Sequence, residues 1–73
     1  MCGIAGLLSS NIDLRGERLL IQNISKTLEN RGPDFAGSYI TPSVALIHRR
    51  LAVIDVENGA QPMHFGKYVI VYN

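Results

Sequence analysis

One stretch of this sequence has the periodicity of an α-helix, and it lies between segments that have the character of β-strands. From Glu17 to Arg31, apolar residues recur at the spacing of one helix face. These residues are Leu20, Ile21, Ile24 and Leu28. Gly32 and Pro33 follow directly and provide a stop signal. A helix with one apolar side needs an apolar surface to cover, and a sheet formed by the flanking segments would supply it.

The flanking segments are short apolar runs of the length expected for strands. Cys2 to Leu8 is nearly unbroken and ends at Ser9, Ser10 and Asn11, which favour a turn. Three later runs have strand character, namely Phe35 to Thr41, Ser43 to Ile54 and Tyr68 to Tyr72. The order strand, helix, strands predicts an α+β fold with one long helix on a mainly antiparallel sheet. Because no linker or repeat interrupts residues 1–73, we expect no internal domain boundary.

Composition narrows the function classes. Hydrophobic residues make up 47% and charged residues 18% of the 73 residues, as in a folded chain. The formal charge of +1 gives no reason to expect a nucleic acid or an anionic membrane as partner. One cysteine allows no internal disulfide, and no apolar run approaches the roughly 18 residues of a membrane span. A cytoplasmic location is therefore expected.

Cys2 is the strongest candidate for a reactive residue. Cysteine is a strong nucleophile, and removal of Met1 would leave Cys2 with a free α-amine close enough to act as its base. While Met1 is attached, the amine of Cys2 is acylated and cannot act as a base. The alternative is that a lone cysteine in an apolar run is a small core residue.

The sequence predicts no metal or nucleotide site in this segment. His48 and His64, together with Cys2, are the soft ligands available, and their scattered positions lack the close pairs of a zinc site. There is also no glycine-rich phosphate loop.

Four motifs occur in order along the chain: MCGIAG at its start, RGPD at 31–34, HRRLAVID at 48–55 and GAQPM at 59–63. Together they resemble the class II glutamine amidotransferase domain of the glutamine-hydrolysing asparagine synthetase family. The resemblance implies an N-terminal-nucleophile hydrolase fold, an αββα sandwich of two antiparallel sheets between helices. The chain stops directly after an apolar run, so we expect it to be the N-terminal segment of an incomplete domain.

The resemblance also assigns roles to residues. It makes Cys2 the nucleophile, and Asn73 the donor of a side-chain amide to the oxyanion. It assigns Arg50 to the α-carboxylate of glutamine. Strand alternation places Arg49 and Arg50 on opposite faces without saying which one points inward, and the resemblance selects Arg50. A solvated strand edge is the alternative for His48, Arg49 and Arg50, and an Asn at the terminus is otherwise unremarkable.

Three further residues are predicted to bind substrate. Leu51 and Val53 match positions that line the glutamine pocket, although many relatives have Ser and Ile where this chain has Ala52 and Val53. Arg31 is the functional candidate of the RGPD motif, which is otherwise a helix stop and turn.

The implied reaction is glutamine amide hydrolysis that releases ammonia for asparagine biosynthesis. Glutamine and a synthetase domain or chain that accepts the ammonia are the implied partners, and ATP and Mg²⁺ would act only in that synthetase part. This segment needs no cofactor of its own. Two alternatives remain: a structural half of a split hydrolase that binds a partner chain or a second copy, and an inactive fragment.

Overall fold

The computed structural model describes residues 2–52 and 59–73, and its first sheet is built around the strand that precedes Arg50. This sheet has the strand order β1-β3-β2 and consists of β1 (Gly3–Leu8), β2 (Phe35–Ile40) and β3 (Val44–Arg50). Both pairings are antiparallel. The α+β class predicted from the sequence is confirmed.

One helix covers one face of this sheet. A 3-10 turn, η1 (Leu14–Gly16), precedes helix α1 (Arg18–Thr27). The core between helix and sheet contains Leu14, Ile21, Ala45 and Ile47. Since side chains alternate along a strand, the opposite face of β3 carries Val44, Leu46, His48 and Arg50.

A second sheet lies on that opposite face. It is a hairpin of β4 (Met63–Phe65) and β5 (Tyr68–Ile70), joined by Gly66 and Lys67. The φ of 57° at Gly66 is the left-handed conformation that glycine adopts easily. The His64 ring packs edge-on against Tyr39 of β2, with ring centroids 5.5 Å apart. In the same strand, a β-carbon on Gly37 would collide with the backbone carbonyl of Gln61. Glycine is therefore needed at position 37 for the segment before β4 to approach β2 so closely. The described part of the chain therefore has three layers: helix, sheet and hairpin.

Several predicted boundaries were wrong. The helix predicted to extend to Arg31 ends at Thr27, because the next amides donate to carbonyls three residues back, as Leu28 does to Ser25. The ten-residue helix is thus shorter than expected. The strand predicted from Ser43 to Ile54 ends at Arg50 within the described residues, and residues 53–58 lie outside them. Strand β4 was not predicted.

Candidate functional site

The end of β3 sends its two arginines to opposite sides of the sheet. Arg49 lies on the helix side, where its Nε donates to the carbonyl of Gly32 at 2.9 Å and its guanidinium is 3.8 Å from Glu29. Arg50 lies on the hairpin side and is only 7% exposed. The structure thus separates a structural arginine from one that faces the interior between the sheet and the hairpin.

Arg50 lines a cavity of about 420 Å³, within the range of about 300–1,000 Å³ typical of small-molecule sites. Its walls are mostly apolar: Phe35, Ala36, Gly37, His48, Arg50, Ala60 and Gln61. The guanidinium carbon of Arg50 lies 5.6 Å from the centroid of the Phe35 ring. A planar cation in such a cavity suits a carboxylate, because the guanidinium can donate two parallel hydrogen bonds to it.

The GAQPM motif supplies part of this cavity, although sequence reasoning gave it no role in the site. Gly59 approaches the guanidinium so closely that a β-carbon there would lie 2.5 Å from Nη2 of Arg50. Ala60 and Gln61 line the wall. The signal that could have revealed these residues is the GAQPM motif itself. It is one of the four motifs that carry the resemblance, but it contains no residue of a typical catalytic type.

Cys2 is half-buried and immediately precedes β1. The last pair between β1 and β3 joins Gly3 to Arg49. Continuing this antiparallel register by one residue directs Cys2 toward Arg50, and alternation gives both residues the same sheet face. Cys2 is not among the residues that line the cavity, so the described structure brings the two predicted site residues to one sheet end without placing both in one pocket.

The RGPD motif connects the helix end to the end of β3. Gly32 is buried against the Arg49 backbone, where a β-carbon would collide. Asp34 donates its backbone N–H to the carbonyl of Arg50 at 3.0 Å, and its carboxylate accepts from the N–H of Ala52 at 2.8 Å. These contacts favour the structural interpretation for Gly32 and Asp34.

The other predicted binding residues occupy different places. Arg31 is exposed, and its β-carbon would lie 3.4 Å from a β-carbon added to Gly3, so it sits beside the start of β1. Leu51 follows β3 and is exposed. Val53 lies outside the described residues. The structure therefore brings Arg31 near the cysteine end of β1 and does not place Leu51 in the cavity.

Asn73 is exposed and follows Tyr72, whose backbone is hydrogen-bonded to two side chains. The Nε2 atom of His48 lies 3.2 Å from the carbonyl oxygen of Tyr72, and the N–H of Tyr72 donates to Oε1 of Gln61 at 2.8 Å. Both partners belong to the cavity wall. Asn73 is thereby attached to the sheet face that carries Arg50.

His48 is the buried titratable group of this face. Burial lowers its pKa below the usual 6.5, the nearby Arg50 charge lowers it further, and the hydrogen bond to Tyr72 opposes the change. Because a carbonyl can only accept, Nε2 carries the proton of the neutral ring. His48 is therefore a neutral hydrogen-bond donor at physiological pH.

The described residues include no group of three or more His, Cys, Asp or Glu side chains that could hold a metal ion. None of their helices has the length and apolar character needed to cross a membrane.

Comparison with known proteins agrees with the resemblance. Asparagine synthetase (glutamine-hydrolyzing) 1 of Arabidopsis thaliana is 41% identical over 63 residues, which is 86% of this chain and 11% of the relative. A probable asparagine synthetase (glutamine-hydrolyzing) of Schizosaccharomyces pombe is 39% identical, covering 100% of this chain and 14% of the relative. Asparagine synthetase (glutamine-hydrolyzing) 3 of Bacillus subtilis is 38% identical, with 100% and 12% covered.

This chain thus spans 11–14% of the length of these relatives. No solved structure matches it significantly. The model of the glutamine amidotransferase domain matches residues 1–73. The chain therefore belongs to the glutamine amidotransferase domain family.

Proposed function

We propose that this chain is the N-terminal segment of a glutamine-hydrolysing asparagine synthetase and that Cys2 is its nucleophile. The observation that carries the proposal is the position of Arg50, which is buried and lines a mostly apolar cavity. The register of β1 with β3 directs Cys2 to the same face of the sheet. Membership of the amidotransferase family and similarity to asparagine synthetases support the reaction class.

In this proposal Arg50 binds the α-carboxylate of glutamine with two parallel N–H···O bonds. The carboxylate end would thereby be fixed, leaving the side-chain amide to extend toward Cys2. The Phe35 ring lies within cation–π distance of the guanidinium, and the missing side chain of Gly59 leaves room for it, so both neighbours restrict its orientation. A preoriented guanidinium loses little freedom on binding, which favours affinity.

The chemical step begins when the Cys2 thiolate attacks the amide carbon, with the thiol proton taken by the α-amine that removal of Met1 exposes. The side-chain amide of Asn73 would donate to the oxyanion of the tetrahedral intermediate. The carbon–nitrogen bond then breaks while the α-amine gives its proton to the departing nitrogen. Ammonia leaves, and a γ-glutamyl thioester remains on Cys2. Water hydrolyses the thioester to glutamate and restores the thiol.

The ammonia passes to a synthetase part of the same protein or of a partner chain, and ATP and Mg²⁺ act only there. The layered order of helix, sheet and hairpin supports an N-terminal-nucleophile sandwich, since it supplies a helix layer followed by two sheet layers. The described segment would be one part of that domain.

The test replaces Cys2 with alanine in the complete protein. We expect Cys2→Ala to abolish glutamine-dependent asparagine formation and glutamine hydrolysis while synthesis from added ammonia continues, because only the glutaminase reaction uses the thiol. Mass spectrometry of the wild type should show an N-terminal cysteine and a transient adduct with the mass of a glutamyl group. Glutamine hydrolysis at the wild-type rate by Cys2→Ala would refute the assignment.

A further inference from the structure

Two side chains hold the peptide groups of Tyr72 from opposite ends of the residue. Its carbonyl accepts from Nε2 of His48 at 3.2 Å, and its N–H donates to Oε1 of Gln61 at 2.8 Å. Within the described residues β5 ends at Ile70 and pairs with β4 alone. The backbone at Tyr72 is therefore held by side chains where strand pairing has already ended.

Both residues are anchored in the fold, His48 by the burial of its side chain and Gln61 by the packing of its backbone. His48 is 1% exposed and belongs to the central strand of the three-stranded sheet. The carbonyl of Gln61 packs against Gly37 of β2, and the δ-carbon of Pro62 would lie 3.1 Å from a β-carbon on Gly37. A hydrogen bond from an anchored residue fixes its partner more tightly than one from a mobile residue.

We infer that His48 and Gln61 are positioning residues for Asn73, holding the backbone of Tyr72 so that the next side chain reaches the oxyanion. This inference rests on the proposed function, in which Asn73 is the oxyanion donor. Neither His48 nor Gln61 needs to touch the reacting atoms. Their effect is transmitted through one peptide unit, whose two hydrogen-bonding groups they occupy.

The expected size of the effect follows from the demands of oxyanion stabilisation. Loss of one oxyanion donor lowers kcat by about 10²–10³-fold, and a misplacement of about 1 Å costs about 10²-fold. Breaking one of the two bonds to Tyr72 leaves the other in place, so the misplacement is partial. A fall in kcat of about 10-fold to 100-fold is therefore expected for each single replacement.

The experiment uses two pairs of variants in the complete protein. His48→Leu removes the donor, whereas His48→Gln retains an N–H at a similar distance from the backbone. Gln61→Met removes the acceptor at nearly constant volume, whereas Gln61→Asn retains an amide oxygen on a shorter side chain and adds no charge to the cavity that Arg50 lines. The matched control is His64→Leu, because His64 packs against Tyr39 outside the cavity wall. Each variant is assayed for glutamine hydrolysis, for synthesis from ammonia and for its melting temperature.

We expect His48→Leu and Gln61→Met to lower kcat for glutamine while KM changes less than about threefold, since Arg50 still binds the carboxylate. His48→Gln should recover most of the rate and Gln61→Asn part of it. Ammonia-dependent synthesis should stay at the wild-type level in every variant, and glutamine hydrolysis should stay at that level in His64→Leu. Alkylation of Cys2 by iodoacetamide, which needs no oxyanion donor, should stay fast in all variants.

Several outcomes would overturn the inference. Equal kcat in His48→Leu and His48→Gln would show that the donated hydrogen bond is irrelevant, whether or not stability falls. A rise in KM with unchanged kcat would place His48 in substrate binding instead. If Cys2→Ala still hydrolysed glutamine, the proposed function would fail, whereas an inactive Cys2→Ala beside a normal His48→Leu would refute only the positioning role.

Discussion

Replacement of Arg50 tests the substrate assignment most directly, because the neighbouring arginine provides an internal control. Arg50 lies in the cavity wall and is 7% exposed, whereas Arg49 bonds to Gly32 on the other side of the sheet. Removing the Arg50 guanidinium should weaken glutamine binding. Removing that of Arg49 should weaken only the attachment of the helix end.

The magnitude follows from the bonds that are lost. Two charge-assisted hydrogen bonds at the lower value of about 1.5 kcal/mol each amount to about 3 kcal/mol. Since about 1.4 kcal/mol corresponds to tenfold in affinity, Arg50→Ala should weaken binding roughly 100-fold. Arg50→Lys keeps the charge but not the planar pair of donors, so about a tenfold loss is expected. Arg49→Ala loses one part-buried bond to Gly32, about 1 kcal/mol of stability, and the long contact with exposed Glu29 adds little.

The assay is calorimetric titration of glutamine into the complete protein carrying Cys2→Ala, so that binding is measured without turnover. The three arginine variants are compared in this background, with urea unfolding recorded for each. A wild-type dissociation constant in Arg50→Ala would refute the assignment of the carboxylate to Arg50. A large loss in Arg49→Ala at unchanged stability would show that the other arginine binds it.

Three further predictions concern stability and the shape of the cavity. Gly37→Ala should destabilise the fold by about 1–3 kcal/mol because its β-carbon collides with the backbone at Gln61; an unchanged urea midpoint would contradict this packing. Gly59→Ala should raise KM for glutamine by displacing the Arg50 guanidinium, with kcat nearly unchanged, and steady-state kinetics with a normal KM would argue against the close approach. His48 makes stability depend on pH, because its pKa is lowered in the folded state and the unfolded chain therefore takes up the proton first. The contribution of neutral His48 to stability is fully present above about pH 6.5 and is lost as the pH falls through the lower folded value. Urea midpoints from pH 8 to pH 5 should therefore fall more steeply for the wild type than for His48→Gln, and parallel curves would contradict the lowered pKa.

The strands that sequence reasoning located are those with long apolar runs. β1 and β2 were predicted nearly to the residue, because Gly3–Leu8 and Phe35–Ile40 are bounded by turn residues. β4 was missed because three residues, Met63–Phe65, carry too little periodicity to stand out. Their strand conformation depends on pairing with β5 across the turn that contains Gly66. The helix was overextended because Leu28 fits the helical period while packing beyond the helix, against Gly3.

The candidate site shows the same division between local and distant information. Alternation along β3 predicted that its two arginines would separate, and the resemblance selected Arg50, but the alternation does not indicate which face the hairpin covers. That face is set by contacts between distant residues, such as the close approach of Gln61 to Gly37. The hydrogen bond from His48 to Tyr72 likewise joins residues far apart in sequence, so no local pattern indicates it.

The central position of β3 has a consequence for the order of folding. β2 and β3 are joined by a short turn in which the Thr41 hydroxyl accepts from the N–H of Val44 at 2.9 Å, so this hairpin can close locally. β1 must instead wait for β3, because Gly3 pairs with Arg49 from the far side of the helix. Pairings between distant residues form slowly, since a long loop must close first. During synthesis Cys2, which precedes β1, therefore leaves the ribosome before β3 does, and it can be placed beside the end of β3 only after that strand has formed. Until then its thiol is accessible to solvent.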